Sequence, residues 1–270
     1  MTSGEPRIEG RRVTGARHQR EGRPCQDAIA WARRADTWVL AVADGHGSSP
    51  RGGEGAQLAV EVAVEWLLDF HARLTPEQRT RPATVREWAR EPFARKLVGE
   101  WSRRVRESVG ESPPEGDVLR AHGTTLLAVL VAPEFVLFAQ LGDGDILVVQ
   151  DSGQVMRGVE PDERHFADET DSLCGPQAWL ALRVAVWPRP QGEVLLLLGT
   201  DGYSNSFENR ADFERIGPDY LARVRERGLS QVAAELEALL SLTSERGSGD
   251  DITLGMIHLP RAGHGEDPCE

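Results

Sequence analysis

Residues 27–47 read DAIAWARRADTWVLAVADGHG, and this stretch decides the class of the fold. Residues 27–33 and 37–43 are rich in apolar and β-forming side chains, and Arg34, Ala35 and Asp36 break them with a short polar step, the pattern of a β-hairpin. The second arm runs directly into Asp44-Gly45-His46-Gly47, so a carboxylate and an imidazole stand at the end of an apolar strand.

Beyond the hairpin the period changes. From Gln57 onward Leu58, Val62, Trp66, Phe70 and Leu74 recur every four residues, which predicts a long helix with a broad buried face. Phe93, Leu97, Trp101, Val105 and Val109 repeat that spacing over residues 92–109, with Pro92 suited to the first turn and a short separate helix over 84–90. Strands then dominate: 124–132, 135–141, 146–150, 155–157, 194–198 and 252–259, with a late helix over 229–242. Residues 124–132 are apolar on both faces, as in a sheet covered on both sides. Short connections make the sheets mostly antiparallel, so the reading is α+β and layered. A single domain over 13–259 is expected, with a flexible arm at 1–12 and a disordered tail at 260–270.

The chain has 270 residues, 40% of them hydrophobic, enough for a sizeable core and too many for a wholly disordered chain. Its formal charge of −12 argues against a nucleic-acid partner, because phosphate backbones attract clustered Lys and Arg. Cys25, Cys174 and Cys269 are far apart and odd in number, so neither a disulfide scaffold nor a thiolate zinc site is expected. The longest apolar runs fall far short of the ~20 residues of a membrane span, and the N-terminus lacks the apolar core of a secretion signal. A cytoplasmic location is the expectation.

Carboxylates gather where apolar segments begin or end. Asp44 follows VLAVA, Asp143 and Asp145 follow FAQLG, Asp201 follows VLLLLGT, and Asp250 and Asp251 precede ITLGMI. An isolated Asp-Gly pair is ordinarily a turn. Several after hydrophobic strands in one domain, without thiolates, suit hard, oxygen-preferring cations such as Mg²⁺ or Mn²⁺.

The motifs Asp44-Gly45-His46-Gly47, Gly123-Thr124-Thr125, Gly142-Asp143-Gly144-Asp145, Thr200-Asp201-Gly202 and Asp250-Asp251-Ile252-Thr253 occur in the order of the metal-dependent protein phosphatases of type 2C, and the chain resembles that family from about residue 15 to 259. The resemblance implies a four-layer α-β-β-α sandwich, two central antiparallel sheets flanked by helices, with metals at one end. It implies hydrolysis of phosphoserine and phosphothreonine in proteins by water held between two Mn²⁺ or Mg²⁺ ions, with a weaker third ion in many bacterial members. Residue by residue, Asp44 matches the carboxylate bridging both metals and Gly45 a carbonyl ligand of one. Asp27, after Gln26, is counted with the metal-binding carboxylates. Asp201 and Asp250 match ligands of the other metal, Asp143 a ligand of the third, and His46 the acid that protonates the leaving alkoxide. A phosphorylated protein is the implied substrate, and a serine/threonine kinase the implied counterpart.

Three positions depart from the family. Gln26-Asp27 replaces Glu-Asp, Asn205 replaces an aspartate, and Gly22 stands where a phosphate-holding arginine is usual. Arg17, His18, Arg20 and Arg23 lie nearby; His18, with Arg17, is the preferred substitute. The stretch 158–177, with Asp162, Asp168 and Asp171, is expected as a flap beside the site, and Cys25 as an inert thiol. These departures keep open an alternative, a phosphatase-like module that binds phosphoproteins with weak or no turnover.

Overall fold

The computed structural model describes residues 5–110, 117–160 and 171–261. Among these the strands are β1 (Arg7–Val13), β2 (Asp27–Arg34), β3 (Thr37–Asp44), β4 (Leu126–Val131), β5 (Phe135–Leu141), β6 (Asp145–Gln150), β7 (Val155–Arg157), β8 (Arg183–Pro188), β9 (Val194–Gly199) and β10 (Ile252–Leu259). They form two antiparallel sheets ordered β1-β10-β9-β6-β7 and β2-β3-β4-β5-β8. The long helices are α1 (Gly52–Arg73), α2 (Ala94–Ser108), α3 (Ile216–Arg227) and α4 (Leu229–Arg246).

The alternation along each strand assigns side chains to layers. Trp38, Leu40 and Val42 of β3 meet Leu196 and Leu198 of β9 and Ile257 of β10 between the two sheets. Val39, Ala41 and Ala43 point the other way, into a core shared with Val60, Ala63 and Leu67 of α1 and Trp101 of α2. The alanines leave room for a close helix, and the buried Trp101 indole donates to the Gly55 carbonyl at 3.0 Å. On the far side Leu195 and Leu197 pack with Tyr220 of α3 and Leu236 and Leu240 of α4. The result is the four-layer α-β-β-α sandwich, with apolar residues on both faces of both sheets because each sheet is covered twice.

Several boundaries differ from the sequence reading. Residues 7–13, expected within a flexible arm, form β1, which pairs with β10 from Arg7–His258 to Val13–Ile252. Pro92 does not open a helix; it sits in a π-helical turn, Ala89–Phe93, that runs into α2. Helix α1 begins at Gly52, before Gln57, and α4 continues to Arg246. The tail residues 262–270, and Asp162 and Asp168 of the expected flap, lie outside the described residues.

Candidate metal centre

One end of the sandwich collects the carboxylates. Asp44 closes β3 directly opposite Asp27, the first residue of β2. Its backbone is held on both sides: the N–H donates to Thr125 Oγ1 at 3.0 Å, and the carbonyl accepts from Thr124 Oγ1 at 2.8 Å. Gly45 continues the ladder, bridged to Thr124 and donating to the Gln26 carbonyl at 3.1 Å. A Cβ here would lie 2.3 Å from the Gly52 carbonyl carbon in the first turn of α1, so only glycine fits. His46 donates its N–H to the Gly123 carbonyl at 3.0 Å, and its ring edge packs over the glycine.

Asp201 opens a short helix, Asp201–Ser204, after β9. A Cβ on Gly202 would lie 2.1 Å from the Asp251 carbonyl oxygen, and this close approach brings Asp250 beside Asp201. The adjacent pair at the start of β10 divides its work. Asp251 is buried and accepts from the Gly15 and Gln26 N–H groups, both at 2.6 Å, and pairs with His18 Nδ1 at 3.0 Å. Asp250 is half-buried and turns toward Asp201 and Asp44.

Asp27 is the hub beneath these groups. Its Oδ2 accepts from Thr200 Oγ1 at 2.8 Å and Thr253 Oγ1 at 2.7 Å, drawing β2, β9 and β10 together. Its Oδ1 is buried with no hydrogen-bond partner. Burial pushes the Asp27 carboxyl up to about 7, against the pull of the two threonine hydroxyls. Burial also pushes Asp44 well above the usual carboxylate range, and the charges of Asp27, Asp201 and Asp250 push the same way. Asp201 is raised by burial and then by the charge of Asp143.

Crowded, desolvated carboxylates of one sign with an orphaned oxygen are unfavourable as they stand, and a cation relieves them. The donors are carboxylate oxygens and a backbone carbonyl, the set for Mg²⁺ or Mn²⁺. Among the described residues no three His, Cys, Asp or Glu side chains are gathered tightly enough to enclose one ion by themselves. Oxygen ligands from neighbouring carboxylates, completed by water, are the usual surroundings of such an ion. The residues present therefore fit a hydrated divalent ion.

The protein phosphatase 2C family model matches residues 14–241, which takes in most of the chain, with Asp27, Asp44, Asp143 and Asp201 but not Asp250 and Asp251. The chain belongs to the protein phosphatase 2C family. It is 27% identical over 171 residues to serine/threonine-protein phosphatase 3 of Escherichia coli (strain K12), a match covering 60% of this chain and 62% of that protein. In fold it is similar to a bacterial serine phosphatase, with a TM-score of 0.65 at 15% identity, covering 95% of this chain and 99% of the other. It is also similar to the catalytic domain of the serine/threonine protein phosphatase PstP, solved in complex with two manganese ions, with a TM-score of 0.57 at 18% identity and 93% and 97% coverage.

Against this phosphatase 2C framework the sequence expectations sort clearly. Asp44, Gly45, Asp27, Asp201 and Asp250 come together, and Asp143 lies near enough for its charge to act on both His46 and Asp201. His18 is buried, and its Nδ1 lies 3.0 Å from Asp251 Oδ2, so its ring braces the base of β10. Arg17 is exposed and bound to the Ser248 carbonyl at 3.1 Å, on the loop before Asp250. The guanidinium at the site is Arg23, 3.2 Å from Gln26 Oε1 and 3.4 Å from the Gly47 carbonyl. The signal for it was Gly22, which ends the helix Ala16–Glu21 in the left-handed region at φ 65° and turns Arg23 out of it. Asn205 binds Asp201 Oδ2 at 3.0 Å and so orients the carboxylate with a neutral amide. Burial, reinforced by the charges of Asp27 and Asp251, pushes the Cys25 thiol far up, which keeps it protonated and inert.

Proposed function

We propose that this chain is a cytoplasmic enzyme that hydrolyses phosphoserine and phosphothreonine in proteins at a centre of two Mn²⁺ or Mg²⁺ ions. The observation that carries the reading is the convergence of Asp44, Asp201 and Asp250 on one strand-end platform beside His46, over a buried Asp27 with an orphaned oxygen. Asp44 would be shared between two ions, the Gly45 carbonyl would serve one, and Asp201 and Asp250 the other. Asp27 Oδ1 is available to the first, and Asp143 to a weaker third. Bound there, divalent ions activate water for attack and neutralise charge on the phosphoryl group.

The chain's own residues supply the rest. Arg23 is positioned to hold a phosphoryl oxygen at the mouth of the site, a task suited to a guanidinium fork. His46 is the proton donor for the leaving oxygen. Burial lowers its pKa and the charge of Asp143 raises it, so Asp143 favours the protonated ring that donation requires. A serine/threonine kinase is the class of enzyme that makes the substrate.

A second reading, a phosphoprotein-binding module without turnover, is favoured by Gln26, whose neutral side chain takes the place of the family's glutamate and is occupied by Arg23. Release of inorganic phosphate from a phosphothreonine peptide, measured before and after chelation and with Mn²⁺ restored, separates the two. Metal-dependent release is expected. Peptide binding without release favours the module, and neither binding nor release overturns both.

A further inference from the structure

His46 stands beside the carboxylate platform and also lines a second feature, a groove of about 880 Å³ whose other walls come from residues 47–49, 120 and 171–181. Cys174 and Ala178 line it, with Asp171, and its rim carries Arg120 and Leu180. Leu180 is 61% exposed, the most of any large apolar side chain among the described residues. The Arg120 side chain is 79% exposed and, among the described residues, pairs loosely with Asp117 at 3.6 Å. The groove is built onto the His46 loop: Ser49 donates its N–H to the His46 carbonyl at 2.8 Å and its hydroxyl to the Arg120 carbonyl at 2.7 Å. The opposite wall is pinned by Leu173 N–H on the Thr124 carbonyl at 2.9 Å.

Direction follows from chemistry. If His46 gives its proton to the departing seryl or threonyl oxygen, the polypeptide bearing that oxygen leaves on the His46 side, away from the carboxylates. The groove lined by His46 is where that polypeptide lies. We propose that it is a substrate-reading groove, in which Leu180 packs on an apolar residue and Arg120 pairs with an acidic residue flanking the phosphorylated one, so that acidic-apolar phosphopeptides are preferred. This rests on the phosphatase reading above and adds to it the substrate class.

The test uses the full chain with Mn²⁺ and three substrates: a phosphothreonine peptide with flanking Leu and Glu, the same peptide with Glu replaced by Lys, and p-nitrophenyl phosphate, which is too small to reach the rim. Arg120→Glu should raise KM for the Glu peptide about threefold to tenfold, the range for reversing one exposed pair, and lower it for the Lys peptide. Leu180→Asp should raise KM for both peptides, and neither variant should change turnover of the aryl phosphate more than about twofold. A phosphonate analogue of the Glu peptide, followed by fluorescence anisotropy, should lose affinity in the same order without turnover. Both side chains are exposed, and unchanged thermal unfolding of the variants checks that folding is intact. Equal KM values for the two peptides in all three proteins, or parallel loss on the aryl phosphate, would overturn the groove while leaving the phosphatase reading in place. Failure of the wild type to turn over any substrate would overturn both.

Discussion

At position 44 a single neutral atom group should separate metal chemistry from folding. Asp44→Asn keeps the backbone bonds to Thr124 and Thr125 and removes a charge that burial and three neighbouring carboxylates already disfavour. The expected result is near-complete loss of Mn²⁺-dependent turnover and of Mn²⁺ binding by calorimetry, with an unchanged circular dichroism spectrum. His46→Gln addresses the proton instead. A general acid contributes about 10²–10⁴-fold, so phosphopeptide hydrolysis should fall within that range, while p-nitrophenyl phosphate, whose leaving group needs little protonation, should fall much less. Equal losses on both substrates at saturating Mn²⁺ would remove His46 from the acid's role. Arg23 and His18 make a third contrast. Arg23→Ala should raise KM on both substrates, since both present the same phosphoryl oxygens. His18→Ala should instead lower the melting temperature, because it strips a buried partner from Asp251. A KM effect from His18→Ala at unchanged stability would support the sequence expectation.

At the scale of elements, legibility followed periodicity. The hairpin β2–β3 is readable from two apolar runs broken by a short polar step, and helices α1 and α2 from apolar side chains recurring every four residues. β1 was not: Arg7, Glu9 and Arg11 give it a polar face at a sheet edge, and its partner β10 lies at the other end of the chain. The Asp27 hub was equally silent, since Thr200 and Thr253 are 173 and 226 residues away. The aspartates themselves were legible because glycine-flanked carboxylates at strand ends are a local pattern. The pairing of His18 with Asp251 is not legible either, because a six-residue helix sets its facing and its partner lies 233 residues away. Another long-range tie gives a pH prediction far from the site. His71, in the last turn of α1, meets Thr37 Oγ1 at 3.0 Å at the start of β3 and lies 3.7 Å from Glu134 in the β4–β5 turn. Burial, then the charge of Arg79, lowers its pKa below the ordinary value near 6.5. The unfolded chain therefore takes up this proton more readily, and the stability His71 gives is complete above about pH 6.5 and lost as pH falls. With both proteins chelated, the change in melting temperature from pH 7.5 to 5.5 should be more favourable for His71→Gln than for the wild type, because the variant lacks this proton-linked loss. A variant with the wild-type pH slope would show that this ring does not set it.

For the whole molecule, the carboxylate end couples folding to metal, and pH reveals the coupling. The Asp27 carboxyl, at about 7 in the folded chain, lies above its unfolded value near 3.9. Between those values the folded state binds more protons than the unfolded one, so this group favours folding at low pH and that contribution disappears as pH rises through 7. The chelated protein should therefore gain melting temperature as pH falls from 8 to about 5, helped by the fading of its −12 net charge. Mn²⁺ should reverse the sign of the metal-dependent part. It binds carboxylates only when they are deprotonated, so the shift it produces should be largest near pH 8 and shrink on acidification. At a hundredfold excess over Kd the gain is about 2.7 kcal/mol for one site, and for a domain this large that is on the order of 5–10 °C. Asp27→Asn separates the two contributions. The amide oxygen can still accept from Thr200 and Thr253, while the buried charge beside Asp44 is gone. The chelated variant should melt above the chelated wild type at pH 8, and the Mn²⁺ shift should be smaller. If the variant instead melted lower with its full Mn²⁺ shift intact, Asp27 would be a structural carboxylate tying three strands together, with no part in holding the cation.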